Sequence, residues 1–497
     1  MNRYLIGVDV GTQSVKAVLF DEFGKRAAAC TEPLRLLKSA LGAVEQDPVE
    51  IFQAVLRTVR VVVEQSKADP HAVLAIGIDA QMAGIMGVDE ELNPTTPYDS
   101  WLDARCRPFA KQMKSEAGDA IVQSTGGQIG LTHGPKILRI LHDQPMVYQK
   151  TAKFLTLTAY LAMAMCGMSA KDAFIDTTHL HFTGFADSAG RVWNLELLRT
   201  FGVEAEKMPV IRTPQEAAGN ISPEIVRETG LTDQTIVAVG CGDTAASIFG
   251  AGITDTDFCY DIAGTASVFA GTTNRFCPDV SFRTLNYMAS PIEGLWTPLA
   301  YINGGGLCLR WFRNLSGKSY RELDDLAAKA PAGCHGLTFI PHFTGRNFPD
   351  DPMVSGAFIG LNWSHTAGDL FRSVLESIAY EYRIYQNIIN RECPSVNPKT
   401  IIGVGGGSKS VIFNQIKADI LGAPYRNLNF EDTASWGSAV LAGFACGLYD
   451  DLKSAIKQNR IFGMNRIPND QSAYLEAFER YETILKNYSK LERKEEK

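Results

Sequence analysis

The chain of 497 residues is longer than one hydrophobic core usually organises, so two domains are expected. Its 48 basic and 55 acidic residues give a net charge of −7, which offers no basic field to a polyanion. This balance argues against a nucleic-acid-binding protein.

The start of the chain, its longest apolar run and its cysteines indicate the compartment in which the protein is expected. Asp9 follows only a few apolar residues, too soon for a signal-peptide core, and the apolar run at residues 155–166 is shorter than a membrane-spanning helix requires. The ten cysteines form no CxxC pair, so zinc and a disulfide framework are not expected. We therefore expect a cytoplasmic protein with reduced cysteines and no membrane partner.

The first elements in chain order predict an α/β layered domain. Residues 4–9 form an apolar strand, Gly11-Thr12 a tight turn, and residues 15–20 a second strand. Residues 48–65 have helical periodicity and residues 73–79 form a buried strand. This mixed order of strands and a helix is typical of a sheet covered by helices.

The middle of the chain predicts a boundary. Residues 155–166 form a buried helix, and a strand ends at Gly242 just before a helix that begins near Asp243. The junction at residues 250–256 divides the chain into a domain of residues 1–250 and a domain of residues 251–497.

The second half of the chain repeats the opening pattern. Residues 258–272 form an apolar strand with an Asp, then the Gly264-Thr265 turn, then another apolar strand. The match is imperfect, because Asp9 stands two positions before its glycine and Asp261 stands three before Gly264. Either the domain is duplicated or two short turns coincide.

A third glycine cluster at residues 401–407 follows an apolar strand and precedes a helical segment at residues 408–421. This order lets the backbone approach a nucleotide, with the helix N-terminus favouring negative charge. The chain has no GxxxxGK[ST] motif, so phosphates would be held by the two hairpin turns instead.

The first hairpin offers backbone N–H groups and the hydroxyls of Thr12 and Ser14 to phosphate oxygens. Asp9 would then lie near a Mg²⁺ ion and contact it through water. Thr265 and Ser267 could contact the same phosphate chain from the second hairpin. The alternative is two ordinary hairpins with glycine turns.

Asp243 has two interpretations. Asp is a preferred N-cap residue, so Asp243 could merely begin its helix. A carboxylate at the carboxyl end of a strand, in a domain with phosphate-binding turns, is also positioned to accept a hydroxyl proton.

A polyol site is suggested by the segments IDAQMAG (residues 78–84) and WLDAR (residues 101–105). Gln81 and Asp103 can bond hydroxyl groups, and Trp101 can pack on a carbon skeleton; a buried Trp beside a surface salt bridge is the alternative. Arg105 could pair with a substrate carboxylate or simply with Asp103. We expect the notable histidines to be satisfied or exposed rather than catalytic; they are His133, His179 and His181.

Taken together and in order, these motifs resemble those of the FGGY carbohydrate kinases, within the sugar kinase, chaperone ATPase and actin superfamily. The resemblance covers nearly the whole chain and rests on DVGTQSVKAVLFD, AQMAG, WLDAR, GPKIL, GCGDTAAS, DIAGTAS, NGGGLCLRWF and GVGGGSKSVIFNQIKADILGAPY. It implies two ribonuclease-H-like domains facing across a cleft. The N-terminal one would bind sugar and phosphate and the C-terminal one the nucleotide.

The resemblance also implies roles for residues in ATP- and Mg²⁺-dependent phosphorylation of a sugar or polyol hydroxyl. Asp243 matches the general base. The residues that match the phosphate-binding turns are Gly11, Thr12, Gln13, Ser14, Gly264 and Thr265. Those that match the adenosine-contacting loop and helix are Gly405, Gly406, Gly407 and Asn414. Those that match the sugar pocket, together with Asp243, are Gln81, Met82, Trp101 and Asp103.

Departures from the family pattern limit the choice of sugar. Xylulose kinases usually carry Met-His-Gly where this chain has Met82-Ala83-Gly84, and glycerol kinases an Arg-Glu pair that is missing here. Arg139 stands where Trp is common, and Trp436 and Ser438 where smaller residues are frequent.

We expect a five-carbon ketose such as xylulose, phosphorylated on a terminal hydroxyl. The alternatives are a sugar acid or tetritol, such as gluconate or erythritol, and a catalytically idle sugar-sensing regulator. A homodimer is possible, because family members are often dimers.

Overall fold

A computed structural model describes residues 2–39, 42–347, 349–394, 398–458 and 462–492. The chain forms two compact units of mixed α/β structure. Unit 1 comprises Met1–Thr254, Tyr287–Trp296 and Asp432–Arg460, and unit 2 comprises Asp255–Asn286, Thr297–Glu431 and Ile461–Lys497.

The first half of the chain carries the sheet and helices of unit 1. Its strands are β1 (Tyr4–Val10), β2 (Ser14–Asp21), β3 (Arg26–Pro33), β4 (Leu37–Lys38), β5 (Val44–Gln46), β6 (Val73–Ala80), β7 (Met86–Val88), β8 (Tyr98–Asp99), β9 (Lys153–Leu155), β10 (Phe174–Asp176), β11 (Ala186–Asp187), β12 (Val192–Trp193), β13 (Val210–Arg212), β14 (Ala217–Asn220), β15 (Ile236–Ala238) and β16 (Cys241–Gly242). Its helices are α1 (Pro48–Ser66), α2 (Arg107–Thr125), α3 (His133–Asp143), α4 (Pro145–Lys150), α5 (Leu157–Cys166), α6 (Leu195–Thr200), α7 (Pro223–Thr229) and α8 (Asp243–Gly250).

The second half carries the remaining elements. Its strands are β17 (Phe258–Ala263), β18 (Ser267–Ala270), β19 (Asn286–Ala289), β20 (Trp296–Ile302), β21 (Thr338–Ile340), β22 (Ala357–Ile359), β23 (Thr400–Val404), β24 (Tyr425–Leu428) and β25 (Phe462–Arg466). Its helices are α9 (Gly305–Ser316), α10 (Tyr320–Ala327), α11 (Ala367–Glu392), α12 (Val411–Leu421), α13 (Thr433–Ala445), α14 (Leu452–Ala455) and α15 (Ser472–Glu492). The predicted hairpins, buried strands and helices are confirmed, with ends that differ by a few residues.

Helix α1 shows how local sequence fixes an element. Asp47 caps it by accepting from the N–H groups of Val49 and Glu50, and Pro48 begins the first turn. Its buried side chains recur every three or four residues and pack against β2 and β3. Burying each large aliphatic side chain contributes about 1.5–3 kcal/mol.

The main sheet of unit 1 has the order β14-β15-β6-β1-β2-β3, with β16 also paired to β6. Strands β1 and β16 both run parallel to β6, and Asp79 on β6 lies opposite Asp9 on one side and Cys241 on the other. The carboxyl ends of three neighbouring strands therefore meet at one edge of the sheet.

Helix α13 packs against β1, β6 and α8 at very short range. A Cβ atom added at Gly7 or Gly77 would lie 1.7 or 1.8 Å from a carbonyl oxygen of α13, so only glycine fits. Because of this packing, residues 432–460 belong to unit 1. A single division after residue 250 would place them in the second domain; that division stays a prediction.

The main sheet of unit 2 contains, in order, β20, β18, β17, β23, β24 and β25. Strands β17 and β18 form an antiparallel hairpin, and β23 runs parallel to β17 on its other side. The glycine loop after β23 thus emerges beside the Gly264-Thr265 turn. Within the described ranges, every helix is too short or too polar to cross a membrane.

Candidate active site

Three carboxylates gather at the sheet edge of unit 1. Asp9 lies near the end of β1, Asp79 near the end of β6, and Asp243 begins α8 directly after β16. Parallel pairing brings the strand ends together and places Asp9 directly opposite Asp79. The predicted base and the predicted metal-site residue therefore lie in one group, within the same unit.

The Asp243 carboxylate is half-buried and does not cap its helix, because Gly242 occupies the N-cap position. Its Oδ1 accepts from the backbone N–H of Thr244 at 2.6 Å and from the Thr244 hydroxyl at 3.2 Å. Burial, reinforced by the charge of Asp9, raises the pKa of Asp243 to about 6. A carboxyl group with that pKa is mostly ionised at neutral pH and remains basic enough to accept a proton.

Asp79 is fully buried, and the sequence prediction did not include it in the site. Burial and the neighbouring Asp9 charge raise the pKa of Asp79 well above its usual range. The Ser438 hydroxyl on α13 donates to Asp79 Oδ2 at 2.6 Å. A carboxylate among the apolar residues 73–80 was the signal that could have revealed it.

Within the described residues, the oxygens of these three carboxylates do not come close enough together to form a three-ligand metal group, so a Mg²⁺ ion here would be held partly by water. Burial raises the pKa of Asp9 as well, so each of the three side chains would gain from a positive charge nearby. The donors are oxygens, which Mg²⁺ prefers. Lys16, beside Asp9, is held instead by Asp432.

The first hairpin turn is closed by a hydrogen bond from the Gly11 N–H to the Ser14 carbonyl at 3.0 Å. The Thr12 hydroxyl accepts from Trp101 Nε1 at 2.9 Å and donates to Gln81 Oε1 at 3.3 Å. The predicted phosphate turn and the predicted sugar-binding residues are thus joined directly. Gln13 is exposed at the tip of the turn.

The loop after β6 is held firmly beside Asp243. The Tyr98 hydroxyl donates to the Gln81 carbonyl at 3.0 Å, and Gln81 Nε2 donates to Gln46 at 2.6 Å. Met82 packs against Gly242, where an added Cβ would lie 2.4 Å from the Met82 sulfur. Gln81 and Met82 are therefore near the predicted base.

Trp101 and Asp103 differ in accessibility. Trp101 is 41% exposed, whereas Asp103 is fully buried. Asp103 Oδ2 accepts from the Val44 N–H at 2.9 Å, and both Asp103 oxygens accept from Arg105 Nε at 3.0–3.1 Å. Asp103 therefore faces Arg105 and the backbone.

Arg105 is surrounded by carboxylates. Its Nη2 lies 2.5 Å from Glu45, 3.1 Å from Asp99 and 2.7 Å from Asp103. Asp99 also pairs with the buried Arg139 at 2.6 Å. These acidic groups could otherwise hold a metal ion, but the guanidinium groups already neutralise them.

Unit 2 contains a cavity of about 910 Å³. Gly264 and Thr265 line it, and so do Gly406 and Gly407 from the loop after β23. A Cβ at Gly306 would lie 1.9 Å from the Gly264 carbonyl, so the start of α9 presses on the hairpin turn. Glycine-rich backbone from three segments thus borders one cavity large enough for a nucleotide.

Gly405 and Asn414 are not among the residues that line this cavity. Asn414 is buried, and its Nδ2 donates to the Ser408 carbonyl at 2.6 Å, so it holds the glycine loop from behind.

Sequence reasoning missed the cavity's other walls, which come from α9, α10, α11, the turn before α12 and α12 itself. The charged and aromatic side chains there are Arg310, Tyr320, Arg321, Asp324, Asp325, Phe371, Lys409 and Phe413. The NGGGLCLRWF segment, which carries Arg310, was a usable signal; α10 has no motif of its own.

Known proteins resemble this chain along nearly its whole length. The model for the N-terminal domain of the FGGY family of carbohydrate kinases matches residues 4–250, and the C-terminal domain model matches residues 259–446. A xylulose kinase of Staphylococcus epidermidis is 25% identical over 99% of this chain and 98% of its own. A gluconokinase of Bacillus subtilis is 26% identical over 90% of this chain and 89% of its own.

Among solved structures, a gluconate kinase from Lactobacillus acidophilus superposes with a TM-score of 0.91 at 25% identity, covering 98% of this chain and 99% of that one. The two family models together cover residues of both units. This chain belongs to the FGGY family of carbohydrate kinases.

Proposed function

We propose that this carbohydrate kinase transfers the terminal phosphate of ATP to a hydroxyl of an uncharged five-carbon ketose or related polyol, with xylulose as the leading candidate. The observation that carries the proposal is the Asp243 carboxyl, which has a pKa of about 6 and lies beside Gln81 and Met82 of the predicted sugar pocket. The xylulose kinase among the relatives supports the choice of sugar.

Asp243 acts as the general base. The acceptor oxygen attacks the terminal phosphorus, its proton passes to an oxygen of Asp243, and the bond from phosphorus to the ADP oxygen breaks. Thr244 keeps the carboxylate ionised and oriented through its two hydrogen bonds. Magnesium bound near Asp9 would neutralise charge on the phosphates.

Nucleotide binding falls to the cavity of unit 2. The backbone N–H groups of the turn at Gly264 and Thr265 and of the loop at Gly406 and Gly407 suit phosphates and close approach to adenosine. Asn414 acts as a positioning residue, because its amide holds the Ser408 carbonyl.

Acceptor binding falls to the loop after β6 and to Trp101. Trp101 is exposed enough to pack on a carbon skeleton, and its bond to Thr12 keeps the ring next to the phosphate turn. Asp103 is a positioning residue, because its carboxylate is taken up by Arg105 and the Val44 N–H. Arg105 itself faces three carboxylates, which makes it a poor partner for a substrate carboxylate.

The test is the Asp243→Asn variant, which keeps the size of the side chain and loses the base. We expect kcat for the phosphorylated acceptor to fall by about 10²- to 10⁴-fold. Acceptor affinity, measured by calorimetry, should stay within about threefold, since the loop and Trp101 are intact.

Phosphorylation by the Asn variant at the parental rate would contradict the role of Asp243. ATP hydrolysis that no acceptor stimulates would contradict the proposed kinase reaction and favour a sensing or chaperone-like role.

A further inference from the structure

Three histidines are buried beside Asp243, and four of their six ring nitrogens have no hydrogen-bond partner in the described protein. His133 begins α3, and His179 and His181 lie on the 3₁₀ turn Thr177–Phe182; all three are at most 3% exposed. The buried nitrogens with no hydrogen bond from the described protein are His133 Nδ1, His133 Nε2, His179 Nε2 and His181 Nδ1.

Buried polar atoms almost always have hydrogen-bond partners, because leaving one unpaired is unfavourable. Four such atoms in one small region therefore need hydrogen-bond partners other than the described protein, which ordered water or a ligand would supply. The rings of His133 and His179 stack with centroids 6.0 Å apart. In the described chain, no three of these ring nitrogens come close enough together to form a metal-binding group.

The histidines are close to the predicted acceptor site. Thr178, which precedes His179 on the same 3₁₀ turn, accepts from the Gly242 N–H at 3.0 Å. Gly242 directly precedes Asp243. On α3, one turn after His133, Lys136 donates to the Ala83 carbonyl at 3.0 Å. The cluster thus lies among the elements that hold Asp243 and the loop of Gln81 and Met82.

Two rings of the cluster, His133 and His181, are neutral imidazoles. His179 Nδ1 lies 2.6 Å from Asp176 Oδ2, so Nε2 is the ring nitrogen of His179 that lacks a partner in the described protein. Burial lowers the pKa of His181 to about 3 and the pKa of His133 well below its usual range. Neutral imidazoles exchange hydrogen bonds with hydroxyl groups and offer no charge to a carboxylate.

Nearby cations are committed elsewhere. Lys136 also donates to the Ser100 carbonyl at 2.7 Å, Arg139 pairs with Asp99, and Arg105 faces its carboxylates. A carboxylate substrate would therefore meet side chains whose charges are already used.

We propose that His133 and His179 bind hydroxyl groups of the acceptor, and that the histidine cluster makes this kinase specific for an uncharged polyol or ketose. The inference rests on the proposed function and supplies what the loop lacks, because Ala83 stands where xylulose kinases usually carry a histidine. The sequence predicted that these histidines are satisfied or exposed; all three are buried, and four of their ring nitrogens have no partner in the described protein.

The test is His133→Phe, which keeps an aromatic ring at this buried position and removes no hydrogen bond to the described protein. We expect kcat/KM for the best acceptor to fall roughly tenfold, mostly through KM, because one hydroxyl loses its partner. The KM for ATP should not change. The thermal midpoint should stay the same or rise, since two unpaired nitrogens disappear from the interior.

The matched control is His142→Phe, on the exposed side of the same helix, where the ring stacks on Phe109. It should leave both KM values unchanged. The wild-type protein should also prefer ketoses and polyols to gluconate.

A His133→Phe protein with parental acceptor KM would overturn the histidine proposal, and so would one that loses thermal stability and ATP affinity together. Preference of the wild-type protein for gluconate would overturn it too. A wild-type protein that phosphorylates no acceptor would instead overturn the proposed function on which it rests.

Discussion

The Asp243 carboxyl links the local structure of one residue to the chemistry of the whole enzyme. Burial and the charge of Asp9 raise its pKa, and the Thr244 hydrogen bonds oppose that rise. The balance leaves a pKa of about 6, so the base is protonated below that pH and ionised above it.

The pH profile follows from this balance. Because the free enzyme must hold Asp243 ionised, kcat/KM for the acceptor should rise with pH through about 6 and then level off. Thr244→Val removes the hydroxyl that favours the ionised form, so it should move this limb to higher pH. The measurement is initial rates at saturating ATP across pH 5–8, with controls for phosphate and for acceptor at each pH. If the rise in kcat/KM occurs at the same pH in Thr244→Val as in the wild-type protein, this explanation of the Asp243 pKa is wrong.

Asp9 and Asp261 show what the sequence alone can predict about the positions of individual side chains. Both precede a Gly-Thr turn, but Asp9 stands two residues before its glycine and Asp261 stands three. Since side chains alternate faces along a strand, the two carboxylates point to opposite faces. Asp261 is accordingly buried with Lys417 at 2.5 Å and the Tyr425 hydroxyl at 2.7 Å, away from any phosphate role.

Other residue-level expectations needed the tertiary structure. The WLDAR segment suggested that Asp103 contacts the sugar, and the burial of Asp103 under Arg105 depends on Val44, which is distant in sequence. The histidine cluster likewise depends on α3 and the 3₁₀ turn meeting in space, and no local pattern in the sequence reports that contact.

Among the helices and strands, α13 is the helix that covers the main sheet of unit 1. Its Ser438 bonds Asp79, and its Trp436 is buried against Phe20 with ring centroids 5.2 Å apart. These two residues are the ones that depart from the family pattern in this segment. The Ser438 hydroxyl is thus explained by its bond to the buried Asp79 carboxyl, and the Trp436 ring by its contact with Phe20.

The close approach of α13 gives a stability prediction. Gly77→Ala would place a Cβ 1.8 Å from the Ser438 carbonyl oxygen, so the helix must move away from the sheet. We expect the free energy of unfolding to fall by about 3 kcal/mol or more, measured by urea denaturation.

Gly118→Ala is the matched control, because nothing lies within 4 Å of its added Cβ. Its effect should stay within about 1 kcal/mol and favour the folded state. Equal stability of the Gly77 and Gly118 variants would show that α13 does not pack as described.

The glycine loops were predictable as elements, and their surroundings were not. Strand, glycine turn and helix at residues 401–421 are readable from periodicity, and the structure has them in that order. The contributions of α9 and α10 to the cavity follow from packing between segments far apart in the chain, which periodicity does not encode.

At the scale of the whole molecule, the chain alternates between two units. The first unit takes residues from the start of the chain and again from Asp432–Arg460, after most of the second unit has been made. The sequence predicted two α/β domains correctly, because each repeats a hairpin flanked by a parallel strand. It could not predict that α13 belongs to unit 1, because the apolar residues of α13 indicate a buried helix but not the sheet against which the helix packs.

The return of α13 predicts how fragments behave. A fragment of residues 1–254 leaves β1 and β6 without their covering helix, so we expect it to aggregate or to unfold without a cooperative transition. Joining residues 432–460 to it through a flexible linker should restore a cooperative transition by circular dichroism. A cooperative, monomeric fragment of residues 1–254 would contradict the assignment of α13 to unit 1.

The most direct measurement of the central claim is ADP release with MgATP against a panel of ketoses, aldoses, polyols and sugar acids, for the wild-type protein beside Asp243→Asn. We expect an uncharged ketose or polyol, with xylulose first, to raise turnover far above the acceptor-free rate, and the Asn variant to abolish this rise. A panel without stimulation, or stimulation that survives in the Asn variant, would contradict it.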